Sequence, residues 1–322
     1  MGAILVLVIL KLLSPSPSGT GIVSKLDGQP VAASIAADLG GVPLAAYDHA
    51  GVNGASLPFG GDAAIWHGAG GKPVFFYAGG EFCPYCAASR WSLVTALARF
   101  GHWSGLEYWN SSPTDVFPKT PTFTLLHAAL QSAYVDFQGV ELYSSTPSPT
   151  GGYQTLQTPN SAQRAALSKY GVPPYVPSSF ANGIPFIDIG NRFIWSATLY
   201  DPGVLTGMSW AQIGQAVHSG SGPAAQAILA NANVLSAAIC AVDGQRPASV
   251  CGSAAVRAAA AHLPGPRTGS GPVGGGVIQT GKASVPAPST GAAHSVVGSN
   301  GKGATTPATG TSKGPAAKGG KG

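Results

Sequence analysis

A run of apolar side chains bracketed by glycines, "GGKPVFFYAGG", predicts a buried strand over 73–78. Beyond it, "AASRWSLVTALARFG" places Trp91, Val94, Leu97 and Ala98 at helical spacing before Gly101, a suitable C-terminal cap. Weaker patterns flank this pair. Residues 29–39 predict a short helix ended by Gly40 and Gly41, and a Gly-rich stretch of little pattern continues to Gly71. Strands are expected over 105–109, 122–127 and 134–144. A helix over 160–170 has Asn160 or Ser161 as its cap and Gly171 as its stop. The segment "GIPFIDIGNRFIWSA" reads as a hairpin, with strands 184–189 and 192–197 joined at Gly190-Asn191. Helical spacing returns near 209–218, 223–242 and 248–263. No repeat of solenoid length occurs. Strands separated by helices predict an α/β fold with a mixed sheet.

Composition changes this picture at the two ends. Apolar residues make up 44% of the 322 and charged residues 9%, which is the profile of a folded chain, but 46 Gly and 27 Pro exceed what one compact domain uses. From 264 to 322 the chain is almost wholly Gly, Ala, Pro, Ser, Thr and Lys, and a disordered tail is expected there. This tail carries Arg267, Lys282, Lys302, Lys313, Lys318 and Lys321 and no acid, so removing its six cations from the formal +5 leaves residues 1–263 at −1. The basic pI therefore belongs to the tail, and a nucleic-acid partner has no support in composition. At the other end, "GAILVLVILKLL" is too short to span a bilayer and carries Lys11. It stands where targeting segments stand, ahead of a Ser-Pro linker. The expectation is a signal or anchor remnant over 1–18, membrane-anchored or exported, with an N-terminal extension over 19–70.

Candidate chemistry enters with "GEFCPYC". A strand running into Cys83-Pro84-Tyr85-Cys86 at a helix mouth puts Cys83 at an exposed cap, where free backbone N–H groups and the helix dipole favour its thiolate. Pro84 suits the first helical position. Cys86 lies one turn in, on the same side, placed to resolve a mixed disulfide formed at Cys83. A metal site would want a second pair at metal spacing, and Cys240 and Cys251 stand 11 positions apart in a distant Ala-rich segment, so no metal is expected. A bridge between Cys83 and Cys86 closes too small a loop to add much stability. Glu81 is a candidate proton acceptor, with a solvated surface carboxylate as the plain alternative. Phe82 and Trp91 either pack beside the pair or belong to the core.

These residues resemble the thioredoxin superfamily, through "GEFCPYC" and, independently, through "GIPFIDIGNRF". The resemblance implies a thioredoxin-like domain over 71–263, a cis Ile184–Pro185 bond facing the cysteines, and a peptide groove shaped by Ile184, Pro185, Tyr85 and Pro84. "FCPYCAASRW", "DFQGVELYS", "IPFIDIGNRF" and "RPASVC" together are similar to an uncharacterised thioredoxin-like family, a domain of unknown function in exported or anchored prokaryotic proteins. The 99 positions from Cys86 to Pro185 require an insertion between the Cys-x-x-Cys helix and the cis-Pro strand, followed by a helical C-terminal part. Tyr77 stands where thioredoxins carry a buried Asp, which argues against a general thioredoxin-type reductase. In an exported chain Cys240 and Cys251 are expected to form a structural disulfide, with an electron relay as the sharper alternative.

The expected function is extracytoplasmic thiol–disulfide exchange on client proteins with cysteines, with an unidentified redox recycling partner. The dithiol carries the electrons, so no diffusible cofactor is required. A non-catalytic adaptor using the same groove is the alternative. A thiol peroxidase ranks last, because no Arg stands beside Cys83 in sequence.

Overall fold

The computed structural model describes residues 25–279. The anchor and linker expected over 1–18, and the tail beyond 279, lie outside the described residues. In chain order the elements are α1 (Ala33–Gly40), α2 (Leu44–Ala50), β1 (Phe59–Gly60), β2 (Val74–Gly80), α3 (Pro84–Leu97), β3 (Gly101–Ser104), β4 (Glu107–Asn110), β5 (Pro121–Thr124), β6 (Ala129–Ser132), β7 (Asp136–Pro147) and β8 (Tyr153–Thr155). They continue with α4 (Ser161–Tyr170), β9 (Phe186–Ile189), β10 (Phe193–Trp195), α5 (Trp210–Ser219), α6 (Gly222–Val242), α7 (Ala248–Cys251) and α8 (Ala254–Ala260).

A six-stranded mixed sheet runs β1-β10-β9-β2-β7-β8, with β2 parallel to β7 and antiparallel to β9. All seven residues of β2 are buried, because both faces of the sheet are covered. Phe75 and Tyr77 point into the larger core with α3 and α6; Val74, Phe76 and Ala78 point into a smaller core closed by Ala166 and Tyr170 of α4. That period of two is the one written in "VFFYA".

Helix α6 is buried along most of its length. It is long and apolar enough to cross a membrane, yet 78% of its most apolar window is buried inside this fold, the signature of a central core helix. Ser92 Oγ of α3 donates to its Ile228 carbonyl at 2.9 Å. Two asparagines of α6 fasten the N-terminal part of the chain: Asn233 Nδ2 donates to the carbonyls of Tyr47 and Gly51, and Asn231 Oδ1 accepts the N–H of Ser56. The stretch that looked patternless up to Gly71 thus contains α2 and packs into the main core.

The segment between α3 and β9 includes two small ribbons, β3–β6 and β4–β5, as well as β7, β8 and α4. The β4–β5 ribbon is bolted onto α3: Trp91 Nε1 donates to the Pro121 carbonyl at 2.8 Å, and Thr122 Oγ1 to the Ala87 carbonyl at 2.8 Å. The expected helix over 248–263 is two short helices broken at Gly252 and Ser253. Cys240, near the end of α6, is disulfide-bonded to Cys251 in α7, with Cα atoms 5.7 Å apart.

The tail boundary at 264 needs correction. Residues 264–279 run back along the N-terminal part, with Gly60 N–H donating to Val273 O, Leu57 N–H to Gly276 O and Ile278 N–H to Ala55 O. Ile278 is buried in the main core. Gly274 and Gly275 make this return possible: both have positive φ, and a side chain at Gly275 would collide with the Phe59 ring. A chain ending at Leu263 should therefore melt below one ending at Gln279. Burial of Ile278 alone is worth about 1.5–3 kcal/mol. In a domain of this size that corresponds to a drop of about 3–12 °C. Equal melting temperatures in calorimetry would show that the returning segment adds nothing.

Candidate functional site

Cys83 is the N-cap of α3, with extended backbone angles (φ −79°, ψ 119°) and Pro84 at the first helical turn. Its Sγ accepts the Cys86 N–H at 3.2 Å, so the thiol sulfur satisfies one of the free donors of the helix end. Two glycines bring the chain here. A side chain at Gly79 would strike the Tyr77 hydroxyl, and one at Gly80 would meet the rings and methyls of Phe82 and Ile184. Both sulfurs are unbridged. Both are also fully buried, at 0% exposure, which corrects the expectation of an exposed cap. Burial, with the contact to Cys83 next, holds the Cys86 thiol well above the ordinary thiol range.

Near the pair lies a buried charge cluster. Arg90, two turns into α3, has no exposed surface; its Nε and Nη2 reach Glu141 Oε1 and Oε2 of β7 at 3.0 and 2.5 Å, and Nη2 also donates to the Gly80 carbonyl at 3.1 Å. Glu81 Oε2 stands 3.9 Å from the same Nη2. Glu81 Oε1 accepts the hydroxyl of Thr124 on β5, and the Leu125 N–H approaches Glu141 at 3.4 Å. Glu81 is 1% exposed, so the surface-carboxylate alternative is overturned. Burial, then the neighbouring Glu141, pushes its carboxyl up to about 8. Glu81 Oε2 has no hydrogen-bond partner among the described residues. Tyr77 is fully buried with its ring under the Arg90 guanidinium, 5.8 Å from centroid to Cζ.

The other expected residues separate into two groups. Ile184 and its cis peptide to Pro185 join Cys83, Cys86 and Phe82 in the smaller core, and Tyr85 packs against it. Tyr85 meets Phe117 edge to face at 6.0 Å. Phe82 stacks on Tyr153 of β8, centroids 3.9 Å apart. Trp91 belongs to the larger core, against Phe123, and is core rather than site. The Cys240–Cys251 bridge lies in that larger core as well, whereas Cys83 and Cys86 belong to the smaller one. Sequence reasoning missed Arg90, Glu141 and Thr124 as site residues. One signal was available: Arg90 is the only charge in "PYCAASRWSLVTAL", a helix buried along almost its whole length.

A second buried acid sits across the sheet. Asp188 of β9 has no exposed surface; its Oδ1 accepts the Asn191 N–H at 2.6 Å and its Oδ2 has no hydrogen-bond partner among the described residues. Burial raises its carboxyl to about 8. Among the described residues no three His, Cys, Asp or Glu gather as metal ligands.

Residues 68–241, more than half of the chain, match the model of a family described as Domain of unknown function (DUF929). No curated protein and no solved structure matches the chain.

The two raised carboxyls set a pH dependence of stability. Each binds its proton more tightly in the folded chain than in the unfolded one. The stabilisation is therefore complete below about pH 4 and is lost as pH rises through about 8. Asp188→Asn keeps the acceptor for the Asn191 N–H and removes the titration. Its stability relative to the natural chain should rise from pH 5 to pH 9 in urea unfolding. Parallel pH curves for the two chains would show that Asp188 does not hold a proton in the fold.

Proposed function

Because the chain belongs to the DUF929 family, whose description assigns no chemistry, we propose its function from the site: thiol–disulfide exchange on protein cysteines through Cys83 and Cys86, in an extracytoplasmic setting. One observation carries the proposal. A cysteine caps a helix with its sulfur on a backbone N–H, and its partner thiol, held protonated by burial, interacts with a buried carboxyl whose own pKa is raised to about 8. The strand order β10-β9-β2-β7, with the cysteine helix following β2 and a cis proline opening β9, supports a thioredoxin-like reading. The Cys240–Cys251 bridge supports an oxidising compartment.

In the reducing direction, the Cys83 thiolate attacks one sulfur of a client disulfide. A Cys83–client bond forms and the other client sulfur leaves as thiolate. Cys86 then gives its proton to Glu81, attacks Cys83 Sγ and releases the second client thiolate; Cys83–Cys86 is left oxidised and the client has gained two electrons. Client oxidation is the same path reversed. Glu81 suits this step because an acceptor works best with a pKa near the working pH. Arg90, near both Glu81 and Cys86, stabilises negative charge on either one as the proton moves.

A second reading, a non-catalytic adaptor on the same groove, is favoured by the complete burial of both sulfurs. The two readings separate on trapping. With Cys86→Ser the mixed disulfide at Cys83 cannot collapse, so cells expressing this variant should accumulate reductant-sensitive adducts on non-reducing gels, absent from Cys83→Ser. No adducts, where a known oxidoreductase trap in the same host yields them, favours the adaptor.

Glu81→Gln tests the proton step. In single-turnover kinetics the Cys86 attack should accelerate towards pH 8, as Glu81 loses its own proton and becomes able to accept one, and then level off. The Gln variant should lose that inflection and run about 100-fold slower at its plateau, the lower end of general-base effects. An unchanged pH profile would remove Glu81 from the mechanism.

A further inference from the structure

Exchange at a sulfur requires the incoming sulfur to approach along the line of the bond being made, and Cys83 has no exposed surface along which that approach can occur. Something over it must move. Helix α3 cannot, since nearly every residue of it is buried and it is tied to β4–β5 and α6 through Trp91, Thr122 and Ser92. Strands β2 and β9 lie in the middle of the sheet.

The segment from Ser144 to Thr155 is different. It forms the outer end of the β7–β8 hairpin, and β8 is the edge strand of the sheet. The base of the hairpin is secured by Leu156 N–H to Leu142 O and Gln157 N–H to Glu141 O, at 2.9 and 3.0 Å. Beyond that base the ladder is irregular: Tyr143 pairs Thr155 and Pro147 pairs Tyr153, with a register shift between them. Most side chains of 146–155 are exposed, and Gly151 and Gly152 at the tip both have positive φ. Among the described residues, side-chain contacts tie this loosely paired end to the segment that carries Cys83 and to β4. Tyr153 lies flat on Phe82, rings 3.9 Å apart and 11° from parallel, and the Trp109 indole N–H donates to Ser145 Oγ at 3.2 Å. Phe82 is the residue before Cys83, and Tyr153 packs on the same apolar cluster as both sulfurs.

We propose that residues 144–155 form a strap closed over Cys83, latched by the Tyr153–Phe82 stack and the Trp109–Ser145 hydrogen bond, and that the thiol reacts only when this strap lifts from its base at Leu142 and Leu156. The inference rests on the exchange reading for its purpose, since a thiol that never reacted would need no opening. It reconciles a cap arranged for chemistry with a sulfur sealed from solvent. The segment has what local opening requires: an edge position, few paired backbone groups and little buried apolar surface.

The test is the rate at which iodoacetamide alkylates Cys83 in the full chain carrying Cys86→Ser, followed by intact mass. In this background Tyr153→Ala should raise the rate about tenfold, the scale set by loss of an aromatic stack. Tyr153→Phe, which keeps the stack, should leave it unchanged, and Ser145→Ala should raise it by a smaller factor. Urea distinguishes strap opening from unfolding. Below the unfolding transition the rate should hardly depend on urea, because a local opening exposes little surface, whereas access through global unfolding would climb as steeply as the unfolding equilibrium. A rate equal to that of a free thiol in the unaltered strap, no gain with Tyr153→Ala, or a steep urea dependence would each overturn the strap. Alkylation needs no client. Faster labelling with Tyr153→Ala but no trapped adducts with Cys86→Ser would keep the strap and refute the exchange reading; adducts without faster labelling would do the reverse.

Discussion

A guanidinium with no access to water has to be neutralised where it stands, and the arrangement around Arg90 follows from that requirement. Glu141 meets it with two parallel contacts, Gly80 offers a carbonyl, and the Tyr77 ring lies alongside. Removing one partner of such a buried pair costs about 3–5 kcal/mol, because the other charge is stranded. The pair therefore fixes α3 against β7, and with it the height of Cys83 and Cys86 above the sheet. Glu81 is drawn into the same enclosure but is not the main counter-ion of Arg90: its oxygen is 3.9 Å away where Glu141 stands at 2.5 Å. A carboxyl that is buried, displaced from the cation and close to a second acid holds its proton, and this is the physical origin of its raised pKa.

The parts of this fold that were legible in the sequence are those whose neighbours in the chain are also neighbours in space. The strand before Cys83, the cap itself, the helix after it and the hairpin at Gly190-Asn191 are local objects, written in apolar runs, glycines and capping residues. The charge cluster was not legible, because Arg90 and Glu141 are 51 positions apart and each looks unremarkable alone. An arginine on a helix is by default solvated, and a glutamate in an alternating strand is by default on the wet face. Only the β4–β5 ribbon and the sheet together make both interior. The helix at Leu44–Ala50 escaped for a related reason: it is seven residues long, held by asparagines of α6 far along the chain rather than by its own pattern. Val277 and Ile278 are two apolar residues in a low-complexity stretch, and Ile278 finds a core only because the chain folds back through glycines of positive φ.

The segment between α3 and β9 contributes to the site as well as to the scaffold. From it come Thr124 on Glu81, Glu141 on Arg90, Phe117 on Tyr85 and Tyr153 on Phe82. Each of these touches a residue of the cysteine segment or of α3. The two thiols and their environment are thus written in separate parts of the chain: the sulfurs in one local motif, the groups that enclose them in a later segment.

This division gives the two cysteines opposite surroundings within one helical turn. Cys83 caps the helix, with the Cys86 backbone N–H on its sulfur. Cys86 is buried beside a full complement of charges that already balance one another, so its thiol keeps its proton until a base takes it. The asymmetry orders the proposed exchange, outer sulfur first and inner sulfur second.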